Sequence, residues 1–223
     1  TVATVYGPDG FTNLTIAGDC IINSGAWTHS GNSASELYRL RATIGGDLTI
    51  GAGGTINVRG NGYAARQGPG GMNASGMRAG SHGGRGATTY GYLPVTKFTY
   101  GNVVSPTNLG SGGDGNSGGG AVWLSVAGQA RIDGSINADA KISDNYAGAG
   151  GSIWLIVGTL TGSGTISANG GIGGFGPGAG GRVALAATNA ADFIGFTGTA
   201  SAYGGPGGAS SSYASGAGTV YRE

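Results

Sequence analysis

The sequence predicts an all-β protein, a glycine-rich parallel β-solenoid (β-helix or β-roll-like) whose short strands stack from one repeat to the next. Three observations predict this class: strand-like segments recur every 30 or 31 residues, apolar residues alternate within them, and 53 of 223 residues are glycine. Repeats of this length with short strands are typical of stacked architectures, and glycine disfavours helix by about 1 kcal/mol per residue. A glycine-rich β-sandwich is the alternative interpretation.

The clearest repeats begin at Gly119, Gly150 and Gly180. Each opens with Gly-Gly and a strand whose alternate residues are aliphatic, and alternate residues of a strand share a face. We therefore expect one set to point into the core: Val122, Leu124, Val126, Ile153, Leu155, Val157, Val183 and Leu185. The opposite face then carries Trp123 and Trp154.

A second strand follows within each repeat, and its equivalent inward positions are Ile22, Ile56, Ile136, Ile166 and Ala200. Their spacings are 34, 80, 30 and 34, so the spacing of 80 is one repeat of 30 plus an insertion of about 50 residues. The N-terminal segments NLTIAGDCIINSG and DLTIGAGGTINVRG also match at an offset of 34. Glycine at the corners would permit positive φ and tight turns.

The closing segment GAGTVYRE continues the pattern, with Val220 inward and Tyr221 at the tryptophan position. Arg222 replaces the inward leucine, and because an unpaired buried charge is costly, we expect it to mark a cap. The prediction is one elongated domain with four parts: an N-terminal strand and turn at 1–12, first coils at 13–60, an insertion at 61–119, and later coils with the cap at 120–223.

The insertion is rich in Gly, Pro, Asn and Ser, a composition that suits extended, polyproline-II-like strands packed backbone to backbone. Its four tyrosines are Tyr63, Tyr90, Tyr92 and Tyr100. These side chains give the insertion something to bury, so we expect it to dock on the coils. A mobile insertion is the alternative.

Three segments, GGSIWLIVGTLTGSGTISANGG, YGNVVSPTNLGSGGDGNSGGG and GAGTVYRE, resemble a glycine-rich repeat module of large exported bacterial surface proteins. The resemblance covers roughly residues 45–223. It implies a secreted β-solenoid used for surface structure or attachment, and it provides no catalytic residues.

Composition argues against nucleic-acid binding and against a membrane span, and it favours secretion. Charged residues make up 9% of the chain and the net charge is +1, without the basic stripe that nucleic-acid binding requires. There is no apolar run long enough to span a membrane. The polar, lysine-poor composition and the Thr-Val-Ala start favour a processed, secreted protein. The single cysteine, Cys20, is expected to be a small buried apolar residue, with an intermolecular disulfide as the alternative.

No catalytic constellation is visible. The acids do not stack, since Asp133 aligns with Ser163, Asp139 with Asn169 and Asp47 with Gln129, whereas a glycosidase needs two carboxyls about 5–9.5 Å apart. His29 and His82 lie in polar or glycine-rich segments and are expected to be solvated, without a nucleophile to activate. GSGGDGNSGGG offers only Asp114, which is too little for calcium. We expect a protein that is not an enzyme and holds no metal or cofactor.

Sparse charge and outward aromatics favour self-assembly into an extracellular filament or surface layer, with the chain itself as partner. The candidate assembly or binding surface comprises Trp123, Trp154, Tyr221, Tyr63, Tyr90, Tyr92 and Tyr100, and the candidate N-terminal pairing strand comprises Val2, Thr4 and Tyr6. The alternative is a surface adhesin or carbohydrate-binding module whose partner is a surface polysaccharide. Ice binding would need a regular row of outward threonines. Thr49, Thr55, Thr165 and Thr199 suggest such a row, but Ser135 and Arg131 interrupt it.

Overall fold

The structure, a computed structural model, describes residues 2–4, 13–71, 79–87, 98–189, 193–207 and 214–223. Every regular element among these residues is a β-strand and none is a helix, as the sequence predicts. The strands are β1 (Val2–Thr4), β2 (Leu14–Ile16), β3 (Cys20–His29), β4 (Leu40–Ile44), β5 (Leu48–Asn57), β6 (Ala121–Ile132), β7 (Ser135–Asn137), β8 (Ser152–Thr161), β9 (Thr165–Ser167), β10 (Arg182–Ala187), β11 (Thr199–Ser201) and β12 (Thr219–Arg222).

All of these strands belong to one sheet, and their pairings are parallel. The main path runs β11-β9-β7-β5-β6-β8-β10-β12. Its end strands β11 and β12 contact each other, so this parallel sheet of eight strands nearly closes into a barrel. Off the path, β1 pairs with β3, β3 with β5, β2 with β4, and β4 with β6. An antiparallel sandwich does not fit these pairings.

Paired strands come from neighbouring repeats and form three ladders. The first ladder contains β2, β4, the starts of β6 and β8, β10 and β12. The second contains the starts of β3 and β5 and the ends of β6 and β8. The third contains β1, the ends of β3 and β5, β7, β9 and β11. The long strands β3, β5, β6 and β8 thus each pass from one ladder to another.

The core is the space between the ladders, and the predicted inward set is confirmed. The eight aliphatic residues of β6, β8 and β10 are all buried in one cluster: Val122, Leu124, Val126, Ile153, Leu155, Val157, Val183 and Leu185. In the third ladder Ile56, Ile136, Ile166 and Ala200 lie side by side, as predicted. Burying each such side chain contributes about 1.5–3 kcal/mol, so the core follows directly from the alternation.

The N-terminal offset of 34 is wrong. Ile22 pairs with Ile50 and Leu14 with Ala42, both at an offset of 28. The reason is that Thr-Ile occurs twice in quick succession, at 43–44 and 49–50, and the first repeat stacks on the earlier copy. The inward position beside Ile56 is therefore occupied by Trp27.

The insertion docks where it is described, in residues 61–71, 79–87 and 98–119. Its contacts are made backbone to backbone: Ala64 N–H donates to Ser33 O (3.1 Å), Gly80 N–H to Ala147 O (2.9 Å) and Gly84 N–H to Gly180 O (3.1 Å). The remainder of the insertion, with Tyr90 and Tyr92, lies outside the described residues, as does Tyr6.

Glycine acts here mainly through close approach of neighbouring repeats, rather than through the turn geometry that the sequence suggested. Positive φ occurs at five of the described glycines. By contrast, a Cβ on Gly151 would overlap the carbonyl oxygen of Gly120, and one on Gly181 would overlap that of Gly151. These glycines open successive repeats, so the spacing of the ladders depends on a missing side chain.

Candidate functional site

The tryptophans of the first ladder stack as predicted, but they offer little free surface. The rings of Trp123 and Trp154 lie 4.6 Å apart at an interplanar angle of 18°. The Arg41 guanidinium lies 3.7 Å from the Trp123 ring centre. Arg41 and Trp154 come from the repeats before and after Trp123, so both faces of its ring are covered. A sugar that stacks on an aromatic face has no place at Trp123.

Tyr221 occupies the predicted position in the same row, separated from the tryptophans by the buried Ala184. Its ring is half-buried, and its hydroxyl donates to Glu223 Oε2 (2.8 Å). The three aromatics therefore do not form one continuous surface.

Two tyrosines of the insertion lie inside the molecule. Tyr63 is buried against Leu109 and Ala121. The hydroxyl of Tyr100 donates to Leu109 O (2.6 Å) and lies 2.7 Å from Ser111 Oγ. Burial raises the pKa of both phenols. These side chains hold the insertion in place and are not part of an exposed surface.

His29 was expected to be solvated, and that expectation is wrong. It lies two residues after the inward Trp27 on β3, so alternation places it in the interior. Nδ1–H donates to Ser30 O (2.7 Å), while Nε2 accepts a bond from Ala121 N–H (3.2 Å). Burial, assisted by Arg39, lowers the pKa of His29 to about 4. The neutral ring therefore joins two repeats.

His82 is also buried, again contrary to expectation, because the docked insertion carries it against the repeats. Its Nδ1–H donates to Gly150 O (2.8 Å), and its ring lies 4.6 Å from that of Tyr100. Among the described residues Nε2 has no hydrogen-bond partner. Burial, with a smaller effect of Arg182, lowers its pKa to about 4.

The aspartates at the corners bind the backbone of the next repeat. The predicted alignments hold, with Gln129 N–H donating to Asp47 Oδ1 (2.7 Å) and Ser163 N–H to Asp133 Oδ1 (3.1 Å). One stack was missed through the wrong N-terminal offset: Asp19 lies beside Asp47, whose N–H donates to Asp19 Oδ1 (2.8 Å). Each of these carboxylates thus satisfies a backbone N–H of the next repeat.

A surface row of four different side chains follows the third ladder. The second residue after β5, β7, β9 and β11 is respectively Arg59, Asp139, Asn169 and Tyr203. Asn169 N–H donates to Asp139 Oδ1 (2.6 Å), and Tyr203 N–H donates to Asn169 Oδ1 (2.8 Å). Because consecutive repeats stack in register, these side chains form a line across the strands.

A second, apolar row runs alongside it. The bridges Ser143–Gly173–Gly207 align the preceding residues Ile142, Ile172 and Pro206. Between the rows lie small residues, Ala140, Gly170, Gly171 and Gly204, and the whole encloses about 250 Å³. We name this site the corner groove, defined by the residues of both rows and those between them.

The corner groove is exposed and chemically mixed. Tyr203 is 69% and Ile142 55% exposed. Burial raises the pKa of Asp139, while the Asn169 N–H and the Arg59 charge act in the opposite direction. The groove was not predicted, although a signal existed: in the motif Thr-Ile-x-Ala-x-Gly the second variable position is the one that carries the polar row.

The two ends of the ladders differ. At the N-terminal end, described residues of the first repeat line an apolar cavity of about 600 Å³, among them Leu14, Ile16, Cys20 and Ile22. Cys20 is half-buried, and burial raises the pKa of its thiol. At the other end the Arg222 guanidinium lies 5.7 Å from the Phe193 ring centre, while Val220, predicted inward, is 42% exposed because no described strand follows β12.

The N-terminal strand pairs with its own chain, since Val2 and Thr4 lie beside Trp27 and His29 in a parallel register. The threonines considered for ice binding do not lie in one row. Thr55, Thr165 and Thr199 align with Ser135 on the third ladder, whereas Thr49 belongs to the second.

Comparison with protein-family models, with curated proteins and with solved structures gave no match. Among the described residues no helix is long and apolar enough to cross a bilayer, and no cluster of three or more His, Cys, Asp or Glu residues could hold a metal ion.

Proposed function

We propose that this chain is a secreted, glycine-rich β-solenoid that binds an extended polysaccharide chain in the corner groove. The solenoid interpretation is supported by parallel pairing of strands one repeat apart in three ladders. A charge-poor, lysine-poor composition supports a place outside the cell.

The observation that carries the proposal is the exposed ring of Tyr203 beside a polar row. Sugar rings have apolar C–H faces and hydroxyl edges, so they bind where an aromatic face adjoins hydrogen-bonding groups. Tyr203 is 69% exposed, and Asn169 and Asp139 precede it in the row. Trp123, whose faces are covered by Arg41 and Trp154, lacks this property.

The groove's direction favours a chain over a single small molecule. Neighbouring parallel strands lie about 4.8 Å apart, so three repeat steps from Arg59 to Tyr203 span about 14 Å. The lining residues come from successive repeats, which suits a polymer lying along the ladders.

The test is calorimetric titration of the chain with a panel of soluble oligosaccharides. Tyr203→Ala should weaken binding about tenfold, since an aromatic stacking contact is worth about 1 kcal/mol or slightly more. Tyr221→Ala is the matched control, because Tyr221 lies on another ladder and should leave affinity unchanged. Failure of every oligosaccharide to bind, or equal losses in both variants, would contradict the proposal.

Self-assembly is the second candidate, and the apolar N-terminal cavity favours it. Ile21, which lines that cavity, is 63% exposed. Among the described strands β2 pairs only with β4, and the other edge of such a strand can pair with another copy. At the opposite end the charged Arg222 on the edge strand β12 argues against growth. Light scattering over a range of concentrations should then detect association that Ile21→Asp abolishes. A mass that stays monomeric at every concentration would exclude self-assembly.

A further inference from the structure

We propose that the corner groove selects an acidic polysaccharide, with Arg59 and Lys141 holding a carboxylate of the chain while Tyr203 supports a sugar ring further along. This inference rests on the proposed polysaccharide-binding function and adds the charge and the orientation of the ligand.

Arg59 lines one end of the groove, and Lys141 lies between the lining residues Ala140 and Ile142 in the chain. Arg59 is exposed, and its Nε–H donates to Ala140 O (3.2 Å), which fixes the guanidinium at the groove. A guanidinium has four further N–H donors, and its planar fork matches a carboxylate. Lys141 is also exposed, and its aliphatic stem lies over Gly60, the residue after Arg59.

The other end of the groove is neutral. Tyr203, Ile172 and Pro206 line it, and none of them is charged. An apolar sugar face fits there, about 14 Å from Arg59 by the strand spacing. The two ends therefore offer different chemistry to one bound chain.

Asp139 lies between these ends and sets where the ligand's charge can go. Its Oδ1 already accepts the Asn169 N–H (2.6 Å), so this carboxyl is held in the row. A ligand carboxylate beside Asp139 would meet a like charge, whereas one beside Arg59 meets a cation. Repulsion by Asp139 and attraction by Arg59 thus favour one position of the bound polysaccharide, in which an acidic sugar unit lies at Arg59.

Elsewhere on the described surface, two exposed arginines are paired with acids. Charged residues are only 9% of the chain and the net charge is +1. The exposed Arg131 is paired with Asp133 (2.6 Å) and Arg66 with Asp114 (2.5 Å). Arg131 therefore serves as a matched control on another part of the surface.

The experiment compares oligogalacturonate with its fully methyl-esterified form, which keeps the sugar chain but removes the charge. We expect the full chain to bind the acid form at least about tenfold more tightly at low salt, and added salt to reduce that preference. Arg59→Gln should abolish the preference by weakening binding of the acid form, and Lys141→Gln should reduce it. Arg131→Gln should have no effect.

The outcomes separate the two proposals. If the ester and the acid bind equally tightly, or if Arg59→Gln and Arg131→Gln behave alike, acidic selectivity is refuted while the groove stands. If neither form binds and no other oligosaccharide does, the proposed function itself fails. Circular dichroism of each variant verifies that the β-sheet is intact, so that a lost preference reports on the groove.

Discussion

Acid should destabilise this protein well above the range in which its carboxylates titrate, and two buried histidines are the reason. His29 accepts the Ala121 N–H through Nε2, and His82 donates to Gly150 O with Nε2 enclosed near Arg182. Protonation at Nε2 would break the first contact and place a second buried charge beside Arg182. Both contacts join elements from different repeats or from the insertion, so their loss affects the whole fold.

The magnitude follows from the pKa values. The pKa of each histidine falls from an ordinary 6.5 to about 4 in the folded protein. Between pH 6.5 and pH 4 the unfolded chain therefore binds more protons than the folded one. The unfolding free energy keeps its full value above pH 6.5 and falls as the pH decreases toward 4. Linkage gives a loss of about 2 kcal/mol per histidine at pH 5, hence about 4 kcal/mol for the pair.

The measurement is urea unfolding at pH 7.5 and pH 5, followed by circular dichroism. The unfolding free energy should fall by about 4 kcal/mol between the two pH values, and the double variant His29→Gln/His82→Gln should remove that difference. The raised pKa of Asp139 acts with the opposite sign, but it is common to both proteins and cancels in the comparison. A parent protein equally stable at both pH values would refute the burial argument.

Two further substitutions test the ladders. The Cβ of Gly151→Ala would overlap the Gly120 carbonyl, so this variant should lower the unfolding free energy by about 1–3 kcal/mol. Gly31→Ala, with open space around it, is the control and should leave the unfolding free energy unchanged. Urea unfolding measures both variants, and equal midpoints would contradict the argument that Gly151 is needed for close approach. Leu124→Ala should lower the unfolding free energy by about 2–5 kcal/mol because this side chain is fully buried. Leu37→Ala, at an exposed position, is the control in the same assay. A small effect at Leu124 would mean that the core is not where the alternation of apolar residues places it.

The C-terminal repeats could be predicted because their pattern permits one alignment. Val122, Ile153 and Val183 recur without gaps, and alternation then fixes which side chains are buried. The same reasoning placed Ile56 beside Ile136 across the insertion, since each lies between a Thr or Ser and an Asn. Periodic burial is a property of the sequence itself.

The N-terminal register, the histidines and the groove needed three-dimensional information. Two adjacent Thr-Ile pairs made offsets of 28 and 34 equally acceptable, and only packing selects between them. His82 is buried by a docked insertion that has no periodicity. Arg59 and Tyr203 are brought into one line by stacking, although their chemistry differs. Because these side chains vary from repeat to repeat, only their fixed place in the Thr-Ile-x-Ala-x-Gly motif marks the row in the sequence.

The 61–119 insertion also has a consequence for the order in which the chain folds. Ile136 meets Ile166 across 30 residues, whereas Ile56 must find Ile136 across 80. Loop-closure entropy grows as (3/2)RT ln n, which makes the longer closure costlier by about 0.9 kcal/mol. We therefore expect the nucleus to form among the C-terminal strands β6 to β10, with the first repeats added afterwards onto an edge that already exists.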